Sequence, residues 1–161
     1  TENVPGIVGM GKAAEIAKRD MDERIAKETE LRDRMIDRIL EEVPFAKLNG
    51  HRVRRLSGNV NIAFSFIEGE GALMLLNRKG VSVSTGSACA SGSLDPSHVL
   101  LAIGLEHEAA HGSIRFALSY EQTAREIDEA VEAVKESVER LRAMSPLYAD
   151  HLKSGMNKKE V

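Results

Sequence analysis

Tryptophan is absent from this chain of 161 residues, and aromatic residues of all kinds make up only 4% of it. A folded core must therefore be built from Ile, Leu, Val, Ala and Met, which suits helices packed on a small sheet. No apolar run reaches about 18 residues, the length that a membrane-spanning helix needs, and no segment has the pattern of a secretion signal. We therefore expect no membrane span and no membrane partner.

Cysteine occurs once, as Cys89, and basic residues are not in excess. A lone cysteine cannot form an internal disulfide, so we expect a reducing, cytoplasmic compartment. The 22 Lys and Arg residues against 25 Asp and Glu residues give a net charge of −3, which provides no overall positive field for nonspecific nucleic-acid binding. Direct binding to nucleic acid is therefore not expected.

Two long helices are predicted, one near each end of the chain. Apolar residues at steps of three and four indicate an amphipathic helix over residues 5–43, with charged residues on its other face. A capping box formed by Thr123 and Glu126 indicates the start of the second helix, which ends before Pro146. The two helices offer apolar stripes that can cover one face of a sheet.

A small sheet is predicted between the two long helices. Alternating apolar and polar residues indicate strands at residues 45–48, 59–67, 81–85 and 113–118. Short helices are predicted at residues 72–78 and 96–103, the second of them capped by Asp95. The expected fold is an α/β domain of the α+β-like kind. It has a small, mainly antiparallel sheet and two long flanking helices. It covers residues 1–148, and residues 149–161 form a polar C-terminal tail.

Cys89 lies in a run in which every other residue from 86 to 93 is Gly, Ala or Ser. Such a segment has little apolar surface to anchor it, so we predict a mobile loop between a strand and a helix. Burial of a thiol requires apolar neighbours, which this run lacks, whereas a reactive thiol requires access. On local chemistry alone, a reactive Cys89 and a buried structural one both remain open.

Arg115 is the second candidate residue, because strand alternation puts it on the face opposite to Ile114 and Phe116. A guanidinium on that face can hold a substrate carboxylate through two parallel hydrogen bonds, and the alternative is an ordinary ion pair. His107 and His111 lie nearby in sequence and are candidate bases or ligands. Neither has a second ligand at metal spacing, which favours structural or solvent-exposed histidines.

Three separated motifs resemble the active-cysteine region of group I cysteine desulfurases, pyridoxal-phosphate enzymes of the class V aminotransferase family. They are residues 84–91 (STGSACAS), 94–104 (LDPSHVLLAIG) and 113–118 (SIRFAL). Residues 1–9 (TENVPGIVG) and 145–148 (SPLY) also resemble that family, so the resemblance covers nearly the whole chain. It implies the small C-terminal domain of a fold-type I pyridoxal-phosphate enzyme.

The resemblance also implies roles for individual residues. Cys89 matches the nucleophile that takes the sulfur of L-cysteine, becoming a persulfide while L-alanine is released. Arg115 matches the arginine that holds the substrate carboxylate, and Thr1 matches a threonine that reaches the cofactor phosphate of the neighbouring subunit in a homodimer. In some members of the family, the cysteine also transiently ligates an iron–sulfur cluster, so Cys89 is the candidate ligand of a [2Fe-2S] cluster.

The implied partners are L-cysteine, an iron–sulfur scaffold protein and sulfur carriers, which receive sulfur for cluster assembly and thiolation. The family's cofactor lysine precedes the matching region, and no lysine of this chain lies in a corresponding motif. We therefore expect a fragment that lacks the lysine for pyridoxal phosphate and is inactive by itself. The alternatives are a non-catalytic module for partner binding or sulfur carriage, and a cofactor-free thiol sensor.

Overall fold

The computed structural model describes residues 1–85 and 96–157, and these contain four strands and six helices. The strands are β1 (Ala46–Leu48), β2 (Asn59–Phe64), β3 (Ser84–Thr85) and β4 (Ser113–Ala117). The helices are α1 (Val4–Glu42), α2 (Gly69–Arg78), α3 (His98–Ala102), α4 (His107–His111), α5 (Ala124–Ala143) and α6 (Pro146–Asn157). The sheet has the order β1-β2-β4-β3, and every pairing is antiparallel. The predicted fold class is confirmed.

Helix α1 confirms the long helix predicted from apolar spacing. Asn3 caps its N-terminus, where the side-chain oxygen accepts a hydrogen bond from the Gly6 N–H at 3.1 Å. Only the last third enters the core, through Leu31, Met35, Ile36 and Ile39. The apolar residues of the first turns are exposed, so most of α1 extends beyond the core of this chain.

Helix α5 begins at the predicted capping box. Thr123 accepts a hydrogen bond from the Glu126 N–H, and the Glu126 carboxylate accepts one from the Thr123 N–H at 2.8 Å. Its buried stripe consists of Ile127, Val131, Val134 and Val138. A surface ion-pair network joins α5 to α1, with Arg38 contacting Glu42, Asp128 and Glu132. The two long helices are thus fixed side by side.

The two faces of the sheet differ in chemistry, as strand alternation predicted. The helix-facing side supplies buried core residues: Val60, Ile62, Phe64, Ile114 and Phe116. The other side carries Asn59, Asn61, Ala63, Ser113, Arg115 and Ala117. Arg115 and Ala117 are exposed there. One face therefore holds the domain together, and the other presents polar side chains.

Strand β2 is shorter than predicted, and helix α2 is longer. The chain leaves β2 after Phe64 because Phe66 adopts a left-handed conformation, with φ of 68°, which no strand continues. Helix α2 begins at Gly69 rather than at residue 72. A Cβ at Gly69 would collide with the backbone oxygen of His111. This glycine therefore allows α2 to pack closely on the backbone at His111.

The segments before and after the cysteine run also differ from prediction. Within the described residues, strand β3 contains Ser84 and Thr85. It starts later than predicted because the N–H of Val81 donates to Leu76 O and closes the end of α2 instead of pairing in the sheet. Helix α3 starts at His98, with Ser97 rather than Asp95 in the capping position. Asp95 itself lies outside the described residues. Helix α4 was not predicted.

The C-terminal segment is helical where a polar tail was predicted. Helix α6 starts at Pro146 and continues to Asn157, so residue 149 lies within it. Its first turns dock through aromatic contacts, since the rings of Tyr148 and His151 lie 5.5 and 5.0 Å from the ring of Phe66. Among the described residues, no helix is both long and apolar enough to cross a bilayer.

Candidate active site

A row of polar residues crosses the open face of the sheet, one from each strand or its immediate extension. Arg115 of β4 pairs with Asn61 on one side and with Ser84 of β3 on the other. Asn49 follows β1 directly, and its N–H donates to Asn61 O at 2.9 Å, which continues the β1–β2 register. We name Asn49, Asn61, Arg115 and Ser84 the polar row.

The ladder geometry brings the side chains of Asn61 and Arg115 close together. Backbone hydrogen bonds join Leu118 N to Gly58 O at 2.8 Å and Phe64 N to Gly112 O at 3.0 Å. In an antiparallel ladder, hydrogen-bonded and non-hydrogen-bonded pairs alternate, so Asn61 and Arg115 form a non-hydrogen-bonded pair. Side chains are closest in such pairs, with Cα atoms about 4.5 Å apart. The Asn61 and Arg115 side chains therefore leave the sheet side by side on the same face.

Three further hydrogen bonds fix the side chains next to Arg115. The buried Asn49 donates from Nδ2 to Asn61 Oδ1 at 2.7 Å and to Ser113 Oγ at 3.1 Å. The hydroxyl of Ser113, which is fully buried, donates to Ala109 O at 2.8 Å. Because that hydroxyl hydrogen is engaged, Ser113 Oγ can only accept from Asn49. The orientation of both amides follows from this chain of donors and acceptors.

Arg55 anchors the loop that carries Asn49. Its guanidinium donates to the backbone oxygens of His51, Asn59 and Asn49 at 2.8, 3.2 and 2.5 Å. Burial lowers the pKa of Arg55 below its ordinary value, and the nearby guanidinium of Arg32 lowers it further. The loop over residues 51–55, which carries three arginines, therefore includes one with a structural role.

Arg115 is exposed and available to a ligand. It has neither a hydrogen bond nor an ion pair with any residue in the ranges 1–85 and 96–157, whereas most other arginines of these ranges contact a carboxylate or a backbone oxygen. An exposed guanidinium with its five donors unused can bind a carboxylate bidentately. The predicted position of Arg115, on the face opposite to Ile114 and Phe116, is confirmed.

The structure does not unite the three residues for which the sequence predicts roles. Cys89 lies outside the described residues. Thr1 is exposed before α1, and at 1.5 Å per residue the helix carries the chain roughly 40 Å from Val4 to Leu31, where it enters the core. Thr1 is therefore not part of the polar row. Ser84 ties the cysteine segment to Arg115, because the chain enters that segment directly from β3.

The histidines that were considered as bases or ligands do not form a metal site. His107 and His111 are the first and last residues of α4, and both are exposed. No group of three or more His, Cys, Asp or Glu residues in the described part of the chain could hold a metal ion. The two histidines have no defined chemical role here.

The described lysines do not fit a pyridoxal-phosphate site. A Schiff-base lysine needs an enclosed amine that can lose its proton, but these lysines are exposed, apart from the half-buried Lys135. The hydrogen bond that Lys135 donates to Glu42, and then the one that it donates to Glu132, raise the pKa of Lys135 above its ordinary value and keep it charged. The described residues alone therefore do not hold this cofactor.

One cavity of about 270 Å³ lies between α1, α5 and α6, away from the polar row. Its lining includes Glu42, Lys135, Glu139, Arg142 and Tyr148. Two carboxylates line it. Arg142 Nε donates to Ser65 O at 3.1 Å, whereas Arg142 Nη2 is buried without a hydrogen-bond partner among the described residues. No residue with a predicted role lines this cavity, so it is not the candidate site.

Sequence reasoning missed Asn49, Asn61 and Ser113. The alternation of strand β2 put Asn61 on its polar face, but nothing in the local sequence indicates which residue lies opposite to it. Strand pairing between segments more than fifty residues apart brings Asn61 beside Arg115 and Ser113 beside Asn49. The available signal was a set of small polar residues on strands with one apolar face, which is also typical of solvated strands.

Comparison with known proteins gives concordant results. A family model described as "Aminotransferase class-V" matches residues 1–130. The chain is 52% identical over 147 residues to "Cysteine desulfurase IscS" of Methanosarcina thermophila, covering 91% of this chain and 36% of that protein. It is 50% identical over 156 residues to "Cysteine desulfurase IscS" of Clostridium botulinum, covering 96% of this chain and 39% of that protein.

Solved structures agree with the sequence comparison. The fold matches the NifS-like protein from Rickettsia africae with a TM-score of 0.75 and 28% identity, over 86% of this chain and 36% of that one. The chain thus spans little more than a third of the length of these relatives. The family match covers most of the chain and agrees with the antiparallel sheet and its flanking helices. This chain belongs to the class-V aminotransferase family.

Proposed function

We propose that this chain is the C-terminal small-domain part of a pyridoxal-phosphate-dependent cysteine desulfurase. The observation that carries the proposal is the pairing of Ser84 with Arg115, since the cysteine segment begins two residues after Ser84. Cys89 follows Thr85 by four residues, so covalent geometry keeps their Cα atoms within roughly 14 Å of each other. A thiol on that tether can reach a substrate whose carboxylate is bound by Arg115. The names of the relatives support the same activity.

The proposed reaction moves one sulfur atom. The thiolate of Cys89 attacks the sulfur of L-cysteine, the carbon–sulfur bond of the substrate breaks, and a sulfur–sulfur bond forms. The carbon gains hydrogen and leaves as L-alanine, and Cys89 becomes a persulfide, so atoms and electrons balance without another oxidant. Arg115 holds the substrate through its carboxylate during this exchange. Pyridoxal phosphate supplies an electron sink to reactions of this kind.

Further parts of the proposal rest on the family resemblance. In a cytoplasmic homodimer, Thr1 would contact the cofactor phosphate of the neighbouring subunit, which agrees with its exposed position before α1, far from the core. The Cys89 persulfide would pass sulfur to an iron–sulfur scaffold and to sulfur carriers, and Cys89 would transiently ligate the assembling cluster. The isolated chain, whose described lysines do not fit the cofactor, would not desulfurate L-cysteine.

The test uses the full-length protein that contains this chain, together with pyridoxal phosphate and L-cysteine. We expect L-alanine and a persulfide on Cys89, detected as a mass increase of one sulfur atom. Cys89→Ser should abolish both, whereas the matched variant Ser87→Ala in the same segment should retain them. An unchanged rate in Cys89→Ser, or no reaction by the wild-type full-length protein, would contradict the proposal. Desulfuration of L-cysteine by the isolated chain would refute only the proposal that the reaction needs residues outside this chain.

A further inference from the structure

The side-chain amide of Asn61 has one oxygen and one nitrogen, and the structure commits the oxygen. Asn61 Oδ1 accepts from Asn49 Nδ2 at 2.7 Å, and Asn49 lies on the β1 side of β2. Asn49 cannot turn its amide over without losing its bond to Ser113 Oγ, whose hydrogen is donated to Ala109 O. The Asn61 oxygen is therefore fixed toward β1, which directs Nδ2 away from Asn49.

The side chain on the other side of Asn61 is Arg115, its non-hydrogen-bonded partner in the ladder. Both Asn61 Nδ2 and the guanidinium are donors only, so they cannot bond to each other. Neither has a partner within residues 1–85 and 96–157. Two neighbouring sets of donors that have no acceptor among the described residues can be satisfied together by one shared acceptor, and the guanidinium favours an anionic one.

We propose that Asn61 is a second carboxylate-binding residue, which donates from Nδ2 to the substrate carboxylate held by Arg115. Asn49 and Ser113 are positioning residues, because they fix the orientation of the Asn61 amide without reaching the ligand. This inference rests on the proposed function of Arg115 and extends it. A donor whose orientation is fixed before binding loses little rotamer freedom when the substrate arrives, so its bond adds affinity.

The decisive variant is Asn61→Asp in the full-length protein. Aspartate still accepts from Asn49 Nδ2, but it replaces the donor beside Arg115 with an anionic oxygen that pairs with the guanidinium. Loss of one charge-assisted hydrogen bond corresponds to roughly a ten- to hundredfold loss of affinity. We expect KM for L-cysteine to rise by about that factor, with little change in kcat. Asn59→Asp is the matched control, because it adds the same charge on the same face, opposite Ala117.

Comparison with cysteamine, which has an amine and a thiol but no carboxylate, separates binding from structural damage. The wild-type preference for L-cysteine over cysteamine, measured by titration of the cofactor absorbance, should fall in Asn61→Asp and stay unchanged in Asn59→Asp. If the Asn61→Asp variant does not fold, Asn61→Ala is measured in its place. We expect the same loss of preference for L-cysteine over cysteamine in that variant. An unchanged KM and preference in a folded variant would overturn the assignment of Asn61. A wild-type protein that does not bind L-cysteine would instead refute the proposed function.

Discussion

Replacement of Arg115 by glutamine should separate ligand binding from folding. The Arg115 side chain is exposed and makes no contact with a carboxylate or backbone oxygen in the described part of the chain. The same strand is anchored in the core by Ile114 and Phe116, which are 0% and 3% exposed. The substitution leaves both of these residues in place. Substitutions at such surface positions alter the free energy of unfolding by no more than about 0.5 kcal/mol. The fold should therefore tolerate Arg115→Gln.

The expected loss of substrate binding is much larger than the change in stability. A bidentate arginine–carboxylate contact has two charge-assisted hydrogen bonds, each contributing about 1.5–3 kcal/mol. Glutamine retains at most one neutral donor, so we expect a loss of about 3–5 kcal/mol of interaction free energy. This corresponds to roughly a hundredfold to a few-thousandfold lower kcat/KM for L-cysteine, at tenfold for each 1.4 kcal/mol.

The assay compares Arg115→Gln with Arg54→Gln in the full-length protein. Arg54 is also exposed, so the control removes the same charge from a loop outside the polar row. Steady-state kinetics with L-cysteine should show the loss in Arg115→Gln alone, and urea unfolding should give the same midpoint for both variants. Equal kcat/KM values would refute carboxylate binding by Arg115. A large drop in unfolding free energy confined to Arg115→Gln would show that its role is structural.

Two further predictions concern stability. Hydrogen bonds from Arg34 and Arg38 lower the pKa values of Asp128 and Glu42, respectively, to about 2. The two carboxylates therefore stabilise the fold fully above their unfolded-state pKa near 4, and this stabilisation is lost as the pH falls toward 2. The urea midpoint should fall over that pH window. An equally steep fall in the Arg38→Gln variant would contradict this prediction. Ile114→Ala should lower the free energy of unfolding by about 2–5 kcal/mol, whereas a similar loss in Ala117→Ser, on the exposed face, would contradict the assignment of the faces.

Local signals in the sequence were sufficient for much of the fold. The capping box at Thr123 and the apolar spacing of α1 predicted both long helices, because helix ends and stripes depend on residues within a few positions of one another. Strand alternation predicted that Arg115 faces away from Ile114. Predictions were wrong where close packing between distant segments decides the conformation. Helix α2 begins at Gly69, where only a residue without a Cβ fits against His111 O, although a glycine there is equally typical of a turn.

The candidate site divides in the same way. The motifs around Cys89 and Arg115 identified the family, because three segments in the correct order are specific without any knowledge of their contacts. The neighbours of Arg115 could not be predicted, since pairing of β2 with β4 joins residues more than fifty positions apart. Register is set by which face of each strand is buried and by the turns at its ends, not by the polar residues that it aligns.

The sequence by itself determined the family, the long helices, the polar face of the sheet and Arg115 on that face. Each of these depends on residue types at short spacing or on motifs that remain recognisable without a structure. Only the tertiary structure decided that Asn61 lies beside Arg115 and that Asn49 and Ser113 fix the direction of its amide. The physical reason is that hydrogen-bond partners in a sheet are chosen by long-range register, so donors without individual sequence signals become one site only after the strands pair.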